Sequence, residues 1–405
     1  MKLTILNVGQ NYHIRGGSDR YQFALADLLT RKGHGVIPFA ARNQKNLPTE
    51  WSSYFPAGAD FDRPMPADLI RYIYSPQARK AAKRLLNHSH VDLAHLHIYY
   101  GKLTSSILAP LRQKGIPIVQ TLHEYKIVCP VYTLVSNGKI CESCRGTRYW
   151  HAVLKRCNRG SMARSTLSAI ESCVSRALGS ASKVDHFIAV SDFVRKKVIG
   201  LGLPPERVTT VHNFMDVSGI EPTSRPGSYF LYFGRVEAIK GVFTLLEAIS
   251  PLKTVDLLIV GNGSAVSKLR TLIEERGLSH VKLLGFKQGS ELHNLISGSI
   301  CTITPSEWYE TFGLTLLESF AHGRPVIASR IGGMEEIVSD GVDGFLFPPG
   351  DVNALRERLL WMAEHRHEAV EIGVCGRRKV EKQFNEEVHY NDLLKVYKKA
   401  LSRDS

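Results

Sequence analysis

Three features of the sequence predict an α/β protein made of two Rossmann-like, doubly wound parallel-sheet domains. Short apolar runs alternate with helical patterns through both halves, and the first run enters a helix through a glycine-containing loop. A chain of 405 residues is also long for one hydrophobic core and comfortable for two.

Taken in order, residues 1–9 hold an apolar run too short for the central region of a signal peptide. They also lack a cleavage site, so they read as a first buried strand. The loop 10–20 follows, then a helical pattern from Tyr21 to Arg31 closed by Gly33. Strands are expected at 36–40, 93–97 and 116–121 with helical stretches between them, and such alternation implies parallel pairing. The Gly-x-Gly-x-x-Gly fingerprint is absent from the first loop, which argues against a dinucleotide-dependent dehydrogenase. Asp60-Phe61-Asp62 matches an Asp-x-Asp metal signature, but its Pro- and Gly-rich loop lacks the strand context of that site. The strand ending at Thr121 delivers His123, and ligands gather at the carboxyl ends of strands in open parallel sheets. A strand over 184–191, a helix and an extended run over 208–213 complete this half.

The composition of 221–228, Glu-Pro-Thr-Ser-Arg-Pro-Gly-Ser, is that of a linker and places a boundary at 221/222. The second domain, 222–385, repeats strand and glycine: 229–233 before Gly234, 255–260 before Gly261, and 281–284 before Gly285. Arg235 and Lys240 follow the first of these strands as two cations, the residue types that neutralise a departing diphosphate. Beyond 344–351 the pattern turns helical, ending in a last helix within 386–405.

The stretch 306–320, preceded by the apolar strand 299–303, carries the densest chemistry. A helix starting near Gly313 would set Leu314, Leu316, Leu317, Phe320 and Ala321 on one apolar arc, with Thr315, Glu318, Ser319 and His322 on the rest. That second face carries no Lys or Arg, so it reads as the wall of a cleft rather than as a solvated surface. Gly313 at the helix start would let a ligand approach free backbone N–H groups, a ready anion site. Glu310 lies eight residues before Glu318, so the two carboxylates could address different parts of one ligand. Two solvated glutamates beside a capped helix is the plainer alternative.

This stretch resembles the Glu-x7-Glu motif of retaining family-4 glycosyltransferases, and 323–328 and 332–338 resemble the two blocks that follow it in that family. The resemblance covers most of the chain and is most specific from Gly234 to Asp351. It implies the GT-B architecture, two Rossmann-like domains facing across a cleft, with 1–221 as the acceptor domain and the 386–405 helix crossing back to it. It implies a nucleotide-sugar donor, UDP- or GDP-linked, with Arg235 and Lys240 on the diphosphate, Glu318 on the ribose hydroxyls and Glu310 on the sugar hydroxyls. Gly234, Gly285, Phe286, Thr311, Phe312, Gly313, Leu314 and Thr315 would line the donor site, with backbone near Gly285-Phe286 meeting the base. Gly16-Gly17 resembles the acceptor-side glycine loop, and His123 the histidine that contacts the donor sugar. With the diphosphate met by cations and the Gly313 helix start, no metal is required for catalysis.

The formal charge of +14 suggests an anionic partner. Nine basic residues against Glu142 and Glu171 in 139–183 leave +7 there, interleaved with Tyr149 and Trp150. Docking on anionic lipid or on a pyrophosphate-linked acceptor, or a solvated face, would each account for this. No recognition module accompanies the charge, so nucleic acid is not expected as a partner. Cys129, Cys141, Cys144 and Cys157 include one Cys-x-x-Cys pair, which leaves a structural zinc or ordinary reduced thiols open. The expectation is therefore a cytoplasmic, peripherally membrane-associated hexosyltransferase acting on a glycan or lipid-linked acceptor in cell-surface polysaccharide synthesis. A nucleotide-sugar epimerase of the same architecture is the alternative.

Overall fold

A computed structural model describes residues 2–59 and 65–402; Asp60-Phe61-Asp62 lies outside them. The chain divides into two compact units, one running to Val211 and rejoined by the segment from Tyr390 onward, the other His212–His389.

The first unit is built on strands β1 (Thr4–Val8), β2 (Gly35–Phe39), β3 (Leu93–Leu96) and β4 (Ile118–Leu122). A small hairpin of β5 (Val135–Ser136) and β6 (Lys139–Ile140) interrupts them before β7 (His186–Ala189) and β8 (Val208–Thr210). The sheet order is β2-β1-β3-β4-β7-β8, every neighbouring pair parallel. Ile5, Val8, Leu93, Leu96, Ile118 and Val119 are fully buried, as expected when helices cover both faces of a parallel sheet. The glycine loop feeds the helix Gly17–Arg31, whose first turn starts four residues before the apolar pattern does.

The second unit has β9 (Tyr229–Phe233), β10 (Asp256–Val260), β11 (Val281–Gly285), β12 (Ser299–Thr304), β13 (Val326–Ser329) and β14 (Gly344–Phe347). Their order is β11-β10-β9-β12-β13-β14, again all parallel. The period of two is visible in β9, where Phe230 and Tyr232 join one apolar cluster while Leu231 and Phe233 join another with Leu292 and Ile296. β13 overlaps the end of the block 323–328, where no strand is expected from the sequence; its four residues are buried.

The second unit begins at His212, ten residues before the boundary the linker composition suggests. Residues 212–215 are held inside it: Met215 N donates to Phe384 O at 2.8 Å, His389 Nδ1 meets His212 O at 2.6 Å, and Phe214 packs on His389. At the other end Tyr390 and Tyr397, on the helix Glu386–Leu401, bond His34 and His95 of the first unit.

Candidate functional site

In the second unit the carboxyl ends of β9 and β12 lie side by side, since these strands are paired. A short turn, Ala238–Lys240, follows β9, and the loop 305–313 follows β12. Glu307 N donates to Ile239 O at 2.9 Å, and Thr244 Oγ1 donates to Glu307 Oε1 at 2.5 Å. Gly241 is required at this seam: its φ is +71°, and a Cβ there would stand 1.7 Å from Pro305 O.

The stitching brings Lys240 Nζ to 2.5 Å from Glu310 Oε1, with the two side chains only 18% and 10% exposed. Ser306 Oγ donates to the same carboxylate oxygen at 2.5 Å, and the Lys240 ammonium lies 5.0 Å from the Trp308 ring. Burial pushes the Glu310 carboxyl up, but the Lys240 charge and the hydrogen bonds from Lys240 and Ser306 outweigh it and hold it below its ordinary value. Glu310 is thus an acceptor-only carboxylate. Its backbone is fixed from behind, where Gly333 N donates to Glu310 O at 2.8 Å. Gly332, at φ +68°, would carry a Cβ only 2.3 Å from that oxygen.

Gly313, at φ +117°, caps the helix Leu314–Ala321, whose first N–H groups have no partner within the helix. Thr311, Leu314, Thr315 and Glu318 are half-buried beside it. Phe312 is buried against His212 and Phe384, so its ring serves the core and only its backbone is left for a ligand. Gly234 and Arg235 are exposed behind β9, with Arg235 Nη1 3.1 Å from Glu237 Oε1 and Tyr232 Oη donating to Arg235 O at 2.6 Å. Gly285 ends β11 at φ +68°, and Phe286 after it is 58% exposed.

The polar face expected on this helix is corrected in part. Ser319 is buried, joined to Thr302 Oγ1 at 2.6 Å, and buried His322 meets Ser297 Oγ at 2.9 Å. Ser319 and His322 are thereby drawn into the interior, and Thr315 and Glu318 are the half-buried polar residues of this helix. Ser306 and Trp308, which support the Lys240–Glu310 pair, have no role assigned from sequence. Their only signal was membership of the stretch.

In the first unit, Gly16 is the N-cap of Gly17–Arg31, with open space where a Cβ would stand. Asp19 accepts from Arg15 N at 2.9 Å and closes the loop. His123 follows β4 and is half-buried; its surroundings lower its pKa to about 3, chiefly by desolvation, so the imidazole is neutral. His97, unassigned from sequence, stands 3.1 Å from it.

The cysteine-bearing insertion holds its four thiols near one another: burial first, then Cys129, Cys157 and Cys141, push the Cys144 thiol up to about 12. Among the described residues, however, no three His, Cys, Asp or Glu side chains are arranged to hold a metal ion. Cys141 Sγ accepts from Lys155 Nζ at 3.3 Å and donates to Ser143 Oγ at 3.4 Å. As placed, Cys129, Cys141, Cys144 and Cys157 do not form such a group, and none of the four is in a disulfide.

Both acids counted against the local basic charge are engaged. Glu171 is fully buried with Lys126 at 2.5 Å, and Glu142 pairs with Lys197 at 2.6 Å. Tyr149 is buried, whereas Trp150, Leu154 and Met162 are exposed among Arg145, Arg148, Lys155, Arg156, Arg159 and Arg164. No helix among the described residues is long and apolar enough to cross a membrane.

The family model described as "Glycosyltransferase Family 4" matches residues 15–218, and that described as "Glycosyl transferases group 1" matches 220–379. An amylovoran biosynthesis glycosyltransferase of Erwinia amylovora is 28% identical over 228 residues, 52% of this chain and 55% of that protein. The chain thus spans about half the length of this relative. A phosphatidyl-myo-inositol mannosyltransferase of Mycobacterium leprae is 26% identical over 362 residues, 86% of this chain and 84% of its own. Among solved structures, sucrose-phosphate synthase from Thermosynechococcus elongatus superposes with a TM-score of 0.73 at 19% identity, covering 99% of this chain and 100% of that one. Anabaena HepE in complex with UDP and glucose gives 0.67 at 17%, covering 98% and 99%. At such identities the likeness speaks for the fold.

Proposed function

Because the chain belongs to glycosyltransferase family 4, we propose that it moves a hexose-type sugar from a nucleotide-sugar donor to a glycan or lipid-linked acceptor, with retention at the anomeric carbon. Its two parallel-sheet halves are those of the GT-B architecture. The observation that carries the proposal is the Lys240–Glu310 pair, built at adjacent strand ends beside a helix start whose glycine N-cap makes no side-chain hydrogen bond.

In this reading the departing diphosphate takes Lys240 and Arg235 as counter-charges, and the N–H groups after Gly313 as hydrogen-bond donors. All three stand on strand ends or a helix start, so little reorganisation is needed as negative charge develops. Glu310, kept ionised, accepts from sugar hydroxyls, and Glu318 from the ribose hydroxyls. Gly234, Gly285, Phe286, Thr311, Phe312, Leu314 and Thr315 complete the donor site. His123 offers a neutral imidazole to the transferred sugar, and the open Gly16-Gly17 loop admits the acceptor. The UDP bound by HepE supports a nucleotide-diphosphate donor, and the names of the Erwinia and Mycobacterium relatives support a surface polysaccharide or glycolipid product. The exposed Trp150, Leu154 and basic side chains support peripheral docking on an anionic membrane, on its cytoplasmic face.

Thermal-shift screening across UDP-, GDP- and ADP-sugars, followed by transfer assays with and without acceptor, tests this. Stabilisation by one donor class and acceptor-dependent release of the nucleotide are expected. Sugar isomerised without any acceptor would favour the epimerase reading and overturn transfer.

A further inference from the structure

His97 and His123 follow neighbouring parallel strands: β3 pairs with β4 in the register Leu96↔Gln120, so the two rings emerge at the same sheet end. They stack with centroids 5.4 Å apart, and His97 Nδ1 lies 3.1 Å from His123 Nε2. Tyr21 meets both rings edge-on, and His95 stacks on His97 with centroids 4.5 Å apart. His95 is itself pinned by Tyr397 Oη and Thr121 Oγ1, each at 2.7 Å. His97 is 1% exposed, and its backbone N donates to Val8 O at 2.8 Å. Its place is therefore set by the sheet and by its stacking with His95 and His123.

Two neutral imidazoles joined nitrogen to nitrogen share one proton, which one of the two rings must supply. Among the described residues nothing meets His97 Nε2. A buried N–H left without an acceptor is rarer and more costly than a buried lone pair left without a donor. The proton of His97 therefore sits on Nδ1, and His123 Nε2 accepts it. We infer that His97 is a positioning residue that fixes His123 in its Nδ1–H tautomer, so that the proton His123 offers the sugar is the one on Nδ1. This rests on the sugar-contacting role proposed for His123. His97 itself touches no substrate; it acts through the ring beside it, as the group hydrogen-bonded to the far nitrogen of a metal-bound histidine does.

The test uses the full chain with its donor and acceptor, once the donor is known from the thermal-shift screen. Long-range nitrogen–proton NMR of histidine-labelled protein should show His123 protonated on Nδ1. His97→Leu should yield a mixture of tautomers and lower kcat about tenfold or more, with the donor KM within about twofold. His97→Asn, whose side-chain amide can donate to the same nitrogen, should restore most of the turnover and the single tautomer. An Nε2–H tautomer in the parent protein would overturn the inference, as would a folded His97→Leu variant with unchanged kcat. If His123→Ala kept full turnover, the role of His123 would fall, while the parent spectrum would still assign the tautomer. Should His97→Leu fail to fold, the parent spectrum and the turnover of His97→Asn still decide between the two tautomers.

Discussion

Replacing Lys240 by Ala separates the structural from the catalytic part of the Lys240–Glu310 pair. The substitution leaves a carboxylate whose side chain is 10% exposed with the Ser306 hydroxyl, at 2.5 Å, still donating to it. Breaking a buried pair from one side costs roughly 3–5 kcal/mol, and because Lys240 keeps some solvent contact the lower end, about 3 kcal/mol, is expected. The pH dependence fixes the sign. In the parent protein the Glu310 pKa is lowered, so its contribution is present above the unfolded carboxylate value of about 4.3 and is lost as pH falls through the folded one. In the variant burial acts without Lys240 and raises the folded pKa, so stability is lost as pH rises through that value. The difference between parent and variant should therefore shrink by at least about 1 kcal/mol between pH 7.5 and pH 5. Urea denaturation at both pH values measures it, with Trp308 fluorescence as a local reporter, since that ring lies 5.0 Å from the Lys240 ammonium. Adding Glu310→Gln removes the stranded charge and should recover most of the stability. It should not recover turnover, which is expected to fall by roughly two to three orders of magnitude in both variants. A stability difference independent of pH would refute the electrostatic reasoning, and turnover within about threefold of the parent would refute the catalytic role.

Further outcomes follow from the same geometry. Glu318→Ala should fold normally, because the side chain is half-buried at the helix surface, and should weaken donor affinity by about ten- to a hundredfold in calorimetric titration; equal affinity would remove Glu318 from the site. Gly332→Ala forces a Cβ to 2.3 Å from Glu310 O at φ +68°, so thermal unfolding should show a loss of about 2 kcal/mol or more together with weaker donor binding. Gly16→Ala, with open space around it, should leave stability unchanged within about 0.5 kcal/mol. Within the insertion, burial raises the Cys141 thiol, but Ser143 and Lys155 outweigh it and leave its pKa lowered, while Cys144 is pushed up to about 12. Mass-spectrometric mapping of alkylation at neutral pH should therefore find Cys141 modified before Cys144, and Lys155→Ala should slow that reaction.

Local patterns alone determined the two parallel sheets. Runs such as Phe230-Leu231-Tyr232-Phe233 are apolar on both faces because helices cover both, and a run of that kind ending in glycine is legible without any knowledge of its neighbours. The same holds for the chemistry at strand ends: Lys240, Glu310 and His123 can be picked out because a strand's carboxyl end is where its topology delivers side chains. Which polar groups remain for a ligand was decided only by the tertiary structure. Helical periodicity places Ser319 and His322 beside Glu318, yet Thr302 and Ser297, distant in sequence, take both of them into the interior. Glu171 counts as a surface acid by composition, and it is Lys126, from a distant part of the chain, that meets it in the interior. His97 had the same strand-end position as His123 in the sequence, but its role depends on a 3.1 Å approach that exists only once β3 and β4 pair. A hydrogen bond needs its partner within a fraction of an ångström. Residue spacing along one element fixes a face; it leaves open which partner another element will bring to that face.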